Sequence, residues 1–189
     1  MSNKIKLGIM IGAFLTVIAA AIITLGFLGK VNSDGKLTPA EPDYERILAN
    51  SENLEKAIDF SMTDSSGKTV SLNEFILQGK PIVLNFWASW CPPCTHEMPY
   101  FDKVFLEKGG EVQFIMLNLA EPPHIGADFV KKNNFSFPVF FDTNEEGAYL
   151  YRITAIPLTL FINKDGYIAQ KIPGSLSENT LRAGIELIL

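Results

Sequence analysis

The spacing of apolar and charged residues divides the chain into an apolar segment, a polar connection and a folded body. No charged residue lies between Leu7 and Leu28. Those 22 positions reach about 33 Å as a helix, enough to cross a hydrocarbon core of about 30 Å. We therefore predict a cytoplasmic N-terminus over residues 1–6 and a transmembrane signal-anchor helix over 7–28. A linker with a short helix is predicted over 29–56, and a folded domain over 57–189.

The flanking lysines indicate the orientation of this segment. Lys4 and Lys6 precede it, so the positive-inside rule places the folded domain on the extracytoplasmic side of the membrane. Lys30 and Lys36 follow it and weaken that bias. A cleaved signal peptide is the alternative, with an apolar region of about 7–15 residues and a small-residue cleavage site. The sequence over 25–29 is a poor match to such a site.

Strand and helix patterns alternate along the folded body. Residues 82–87 form a nearly continuous apolar run, which is typical of a strand covered on both faces. A long helix is predicted from the cysteine motif to Lys108. The remaining predicted elements are a hairpin over 58–71, helices over 72–78, 125–133, 145–151 and 181–189, and strands over 112–119, 137–141, 158–162 and 167–172. This order predicts an α/β fold with a central mixed β-sheet flanked by helices.

Charge and cysteine content exclude several classes of protein. The 189 residues carry a net charge of −5, and because residues 1–30 contain three lysines and no acid, the remainder carries −8. An acidic body lacks the basic surface that a nucleic-acid backbone requires, so no nucleic-acid partner is expected. Two cysteines are too few for the framework of a small disulfide-rich scaffold.

The candidate chemistry lies in the sequence Cys91-Pro92-Pro93-Cys94, which follows the apolar strand and opens the long helix. A cysteine at a helix N-terminus meets unpaired backbone N–H groups and the positive end of the helix dipole, which favour the thiolate. Neither proline can donate an N–H, so the amide of Cys94 is the expected donor to the Cys91 sulfur. We predict that Cys91 is the exposed nucleophile and that Cys94 resolves the mixed disulfide.

Other uses of the cysteine pair fit less well. A purely structural disulfide across so short a loop would constrain the unfolded chain little. A zinc site needs four ligands, and only His96 and His124 are available to join the cysteines. Covalent haem attachment needs a histidine directly after the second cysteine, where Thr95 stands. The sequence favours a redox-active Cys91–Cys94 disulfide, with no other cofactor and no metal.

The sequence over 85–94, Asn-Phe-Trp-Ala-Ser-Trp-Cys-Pro-Pro-Cys, followed by Glu97 and Pro99, resembles the membrane-anchored thioredoxin-like proteins of the TlpA/ResA type. The resemblance extends from about residue 57 to the C-terminus and includes Ile156-Pro157 before a predicted strand. It implies a thioredoxin-like fold with an N-terminal β-hairpin extension and an inserted helix and strand over 121–143, preceded by one transmembrane helix.

The resemblance also implies roles for single residues. Pro157 matches the family's cis-proline beside the active site, although most X–Pro bonds are trans. The backbone of Ile156 is then free to pair with an extended substrate segment. Glu97 lies one helical turn after Cys94, and a partly buried carboxylate there is expected to have a raised pKa and to exchange protons with the thiols. The alternative for Glu97 is a solvated carboxylate.

Trp90, Pro92 and Asn85 complete the expected site. Trp90 is expected to cover the disulfide and, with Pro92, to contact the substrate. Asn85 occupies a position where thioredoxin itself carries a buried acid, so we predict that it is a hydrogen-bonded core amide without a proton-transfer role.

The resemblance implies a membrane-anchored, extracytoplasmic thiol-disulfide oxidoreductase, a protein disulfide reductase. Its expected substrates are the disulfides of exported proteins, with apocytochrome c during cytochrome c maturation as the leading case. A membrane thiol carrier is the expected electron donor, and the protein is expected to be a monomer. Two alternatives remain: an oxidase that inserts disulfides into exported proteins, and a non-catalytic anchored binding domain with an inert disulfide.

Overall fold

The computed structural model describes residues 54–189. The predicted transmembrane helix over 7–28 and nearly all of the predicted linker lie outside the described residues. None of the helices within 54–189 has the length and apolar character needed to span a bilayer.

One eight-stranded mixed β-sheet organises the described part of the chain. Its strands are β1 (Glu55–Lys56), β2 (Ser61–Asp64), β3 (Thr69–Ser71), β4 (Ile82–Trp87), β5 (Gln113–Asn118), β6 (Val139–Phe141), β7 (Leu158–Ile162) and β8 (Tyr167–Pro173). They lie in the order β1-β8-β7-β4-β5-β6-β2-β3. The β4–β5 and β5–β6 pairs are parallel, and the other pairs are antiparallel. The predicted mixed sheet is therefore confirmed, with the β2–β3 hairpin at one edge.

Helices connect these strands. They are α1 (Leu72–Ile76), α2 (Pro92–Lys108), α3 (Pro123–Lys132), α4 (Glu146–Leu150) and α5 (Glu178–Glu186). All six residues of β4 are buried, because its side chains alternate between two separate clusters of the core. Val83 and Trp87 pack with α2 and α5 in one cluster, whereas Leu84 and Phe86 pack in the other. This two-sided burial explains the continuous apolar run in the sequence.

The structure corrects two predicted elements. Glu55 and Lys56 pair with β8 as a strand and do not continue the helix predicted for the linker. The last helix begins at Glu178 and not at Leu181, because the Ser177 side chain accepts a hydrogen bond from the Thr180 amide and caps the helix. Pairing with β8 in the first case, and a side-chain cap in the second, outweighs the apolar periodicity.

The other boundaries agree more closely. The predicted hairpin is confirmed, although its first strand begins at Ser61 and not at Ile58. The strand predicted from Phe137 begins at Val139, and the helix predicted from Ile125 begins at Pro123.

Candidate active site

Strand β4 and helix α2 position the two cysteines. Cys91 is the N-cap residue of α2, and its sulfur accepts a hydrogen bond of 3.3 Å from the backbone amide of Cys94. Pro92 and Pro93 occupy the first two helical positions. The sequence prediction that the Cys94 amide is the donor within reach is therefore confirmed. The two sulfurs are joined in a disulfide.

The predicted exposure of Cys91 is wrong. Only 4% of Cys91 is exposed, and Cys94 is fully buried. The carbonyl oxygen of Ile156 lies 3.7 Å from the Cys91 sulfur and covers it from the loop before β7. Trp90, in contrast, is 59% exposed beside it. The Cys91 sulfur therefore does not lie on an open surface.

The Ile156–Pro157 peptide bond is cis, as the family resemblance implied. Pro157 is buried directly before β7, and its carbonyl oxygen accepts a hydrogen bond of 2.9 Å from the amide of Gly174. The strand that follows pairs Leu158 with Phe86 of β4. The loop that faces Cys91 is thereby anchored to β4, the strand that precedes the cysteine motif.

A groove of about 590 Å³ opens in front of the disulfide. Four segments of the chain, over 90–93, 119–120, 142–148 and 153–156, form it. Most of its surface is apolar, from Trp90, Pro92, Leu119, Ala148, Ile153 and Ile156. Asp142 and Glu145 supply its acidic groups. The structure thus brings together four of the predicted site residues: Trp90, Cys91, Pro92 and Ile156. The groove has the size and apolar character of a site for a substrate side chain or an extended segment.

Leu119 and Asp142 each begin a segment that lines the groove, and neither residue was predicted as part of the site. Leu119 directly follows β5, and Asp142 directly follows β6. Because β4, β5 and β6 are parallel, their carboxyl ends meet at the same edge of the sheet. Residues after the predicted strands at this edge are the expected place for a binding site in an α/β fold, and that rule would have found them.

Glu121, also missed, connects two of these loops. Its carboxylate accepts hydrogen bonds from the backbone amide and the hydroxyl of Ser89 and from the side-chain amide of Asn118. Ser89 lies two positions before Cys91. Glu121 therefore holds the segment that carries Trp90 and Cys91 against the end of β5.

Glu97 lies on α2 three positions after Cys94 and is fully buried. Its Oε1 atom accepts a hydrogen bond of 3.0 Å from the side-chain amide of Asn85, and its Oε2 atom accepts one of 2.8 Å from the amide of Leu176. Burial raises the pKa of the Glu97 carboxyl to about 7, although hydrogen bonds from Leu176, Asn85 and Ser175 oppose the shift. The predicted raised pKa is confirmed, and so is the prediction that Asn85 is a hydrogen-bonded core amide.

The two histidines are exposed, His96 on α2 and His124 on α3. Within residues 54–189, no three His, Cys, Asp or Glu side chains are grouped as a metal ion would require.

Comparison with known proteins agrees with this arrangement. Residues 54–171 match the AhpC/TSA family. Over 135 residues the chain is 36% identical to the thiol-disulfide oxidoreductase ResA of Halalkalibacterium halodurans, covering 71% of this chain and 76% of that protein. It is 30% identical to the protein of the same name from Bacillus subtilis over 149 residues, covering 77% of this chain and 82% of that one.

A solved structure shares the fold. The crystal structure of StoA from Bacillus subtilis superposes with a TM-score of 0.59 at 28% identity, and the match covers 70% of this chain and 98% of that chain. The chain is similar to ResA over most of its length. The same chain has this fold, the buried Glu97 and the Cys91–Cys94 disulfide at the start of α2. This chain belongs to the AhpC/TSA family and is a thiol-disulfide oxidoreductase of the ResA type with a thioredoxin-like fold.

Proposed function

We propose that this protein reduces disulfides of exported proteins on the extracytoplasmic side of a bacterial cytoplasmic membrane, and that apocytochrome c awaiting haem attachment is its main substrate. The observation that carries the proposal is the pairing of the Cys91–Cys94 disulfide with the buried Glu97 on the same helix. The residues predicted as a transmembrane anchor, 7–28, support the location.

The hydrogen bonds at Cys91 favour the reducing direction. A dithiol is a strong oxidant when its reduced form is strongly stabilised, mainly by donors to the nucleophilic thiolate. Here one backbone amide, that of Cys94, donates to the Cys91 sulfur at 3.3 Å. The next two residues are prolines and have no N–H to give. Modest stabilisation of the thiolate leaves the reduced form ready to transfer its electrons.

The reduction then proceeds in two displacements. The Cys91 thiolate attacks one sulfur of the substrate disulfide, a Cys91–substrate bond forms, and the other substrate sulfur leaves as a thiolate and takes up a proton. Cys94 next gives its proton to the Glu97 carboxylate and attacks the Cys91 sulfur. The mixed disulfide breaks, and the second substrate sulfur leaves as a thiolate and takes up a proton, while Glu97 gives its proton back to water. The two electrons have then passed from the cysteines to the substrate.

The surroundings of Glu97 suit it to this proton transfer. An acid–base group is most effective when its pKa lies near the operating pH, and the pKa of Glu97 is about 7. Glu97 follows Cys94 by three positions, so both side chains lie on the same face of α2. We propose that a membrane thiol carrier returns the Cys91–Cys94 disulfide to the dithiol after each cycle.

Trapping of the mixed disulfide tests the proposal. In the Cys94→Ser variant the resolving thiol is absent, so substrates should remain bound to Cys91 and be identified after non-reducing isolation from the membrane. The Cys91→Ser variant is the matched control and should trap none. We expect apocytochrome c peptides among the trapped proteins and a reducing equilibrium with glutathione, near the potential of thioredoxin, about −270 mV.

A potential near −120 mV, typical of strong oxidants, would instead indicate an oxidase that forms disulfides. Failure of the Cys94→Ser variant to trap any protein would leave only a binding domain with an inert disulfide.

A further inference from the structure

The groove in front of the disulfide contains two acidic residues and no basic one. Asp142 and Glu145 are the charged residues among those that line it. Neither carboxylate forms an ion pair with a basic side chain of residues 54–189. Arg152, which precedes the lining segment 153–156, is exposed and is not paired with either of them. The groove therefore has a net negative charge beside the reactive sulfur.

The carboxylate of Asp142 is already bonded within the fold. Its Oδ1 atom accepts a hydrogen bond of 3.0 Å from the backbone amide of Gly147, and its Oδ2 atom accepts one of 2.7 Å from the amide of Ala148. Only 5% of Asp142 is exposed. Both bonds connect the end of β6 to α4, so Asp142 stabilises this part of the groove and has little surface to offer a ligand.

Glu145 differs from Asp142 in exposure and in bonding. It is exposed and occupies the N-cap position of α4, but its side chain makes no capping hydrogen bond. A glutamate that neither caps its helix nor pairs with a basic residue of the described chain keeps its acceptor atoms for other partners. Glu145 is therefore the acidic residue of the groove that a bound substrate can contact.

The backbone around the groove is strained. Within residues 54–189, four non-glycine residues have a left-handed backbone, and three of them belong to this region. Ala120 and Glu145, both with a φ of 55°, line the groove, and Arg152, with a φ of 51°, precedes a lining segment. Glycine and asparagine adopt this conformation at least cost. A long acidic side chain therefore occupies a costly position, and such strain is concentrated at functional sites.

We propose that Glu145 is a specificity-determining residue: it selects substrate segments that have a lysine or arginine within a few positions of the attacked cysteine. The aliphatic part of such a side chain lies along the apolar lining, while its charged end contacts the Glu145 carboxylate and water. The charge of the groove and its apolar surface thus fit the same side chain. As a statement about the substrates of a reductase, this inference rests on the proposed function.

Reduction of short disulfide-looped peptides tests this selection. The full-length protein, reduced beforehand and solubilised in a non-ionic detergent, is mixed with matched peptides that carry either lysine or glutamine at a set distance from the attacked cysteine. The rate constant is measured for each peptide, and the lysine-to-glutamine ratio is compared between protein variants. Salt should lower this ratio, because the Debye length falls from about 30 Å at about 0.01 M to about 3 Å at about 1 M.

Variants at Glu145 isolate its contribution. Glu145→Gln keeps the shape and removes the charge, so the ratio should fall by about twofold to fivefold, the value of one exposed ion pair. Glu145→Asn should have the same effect with a residue that suits the left-handed backbone. Glu111→Gln is the matched control, because it changes the net charge equally at an exposed position outside the groove. Glu145→Lys should instead favour a peptide with glutamate over the glutamine peptide.

The outcomes separate this inference from the proposed function. A lysine-to-glutamine ratio that Glu145→Gln leaves unchanged, or that Glu111→Gln lowers equally, would overturn the inference. Trapping of substrates on Cys91 with a ratio that does not depend on Glu145 would retain the reductase and reject the selection. A ratio that depends on Glu145, together with a potential near −120 mV, would support the selection of basic segments and reject the reducing direction.

Discussion

Replacement of Glu97 by glutamine should change how the stability of the oxidised protein depends on pH. The pKa of the Glu97 carboxyl is raised from 4.5 to about 7 by burial. Between these values the folded protein holds a proton that the unfolded chain has released. Stability contributed by this group is therefore highest at low pH and falls as the pH rises through 7.

The magnitude follows from the size of the shift. At 1.36 kcal/mol per pKa unit, the difference amounts to about 3 kcal/mol in all, of which about 2.5 kcal/mol is lost between pH 5 and pH 8. Glutamine has a similar shape and no charge, so the variant should lack this loss. Above pH 7 the wild-type protein contains Glu97 as a buried carboxylate, and the burial of this charge lowers its free energy of unfolding.

Urea unfolding at several pH values measures the effect. The free energy of unfolding of the wild-type protein should fall between pH 5 and pH 8 by about 2.5 kcal/mol more than that of Glu97→Gln. Glu111→Gln is the matched control, because Glu111 is exposed just after the same helix, and its profile should follow that of the wild-type protein. Parallel profiles for wild type and Glu97→Gln would refute the claim that burial raises the Glu97 pKa.

Three further predictions concern packing, capping and reactivity. Gly184→Ala should destabilise the protein by about 1–3 kcal/mol in thermal unfolding, because its new Cβ overlaps the ring of Phe161, whereas Gly110→Ala, which meets open space, should have little effect. Ser177→Ala should cost about 1 kcal/mol in the same assay through loss of the α5 cap, and an unchanged melting temperature would contradict the capping role. In the reduced protein Cys91 should be alkylated at half its maximal rate below pH 8.5, the ordinary value for a free thiol, and a rate that rises only above about pH 9 would contradict its activation at the helix N-terminus.

Elements with strong local signals were predicted with their correct bounds. The run over 82–87 is β4, and the helix that opens at the cysteine motif ends at Lys108 before two glycines. Strand β7 also has the predicted bounds, and a turn over 163–166 connects it to β8. In each case the residues that form the element also contain its start and stop signals.

Elements held by distant partners were predicted less well. Glu55 and Lys56 become a strand only because Ile168 and Tyr167 of β8 offer an edge to pair with. The stretch that they belong to has a helical pattern by itself. A strand of two residues has almost no sequence signal, since its stability comes from the sheet that it joins.

The sequence alone determined the chemistry: two cysteines at the start of a helix, prolines between them, and one amide left to donate to the Cys91 sulfur. These features depend on residues that are adjacent in the chain. Only the tertiary structure decided that Ile156 covers Cys91, that loops after β5 and β6 complete the groove, and that Asn85 and Leu176 enclose Glu97. Those residues are far apart in sequence, and desolvation and access to solvent depend on which distant groups the fold brings into contact.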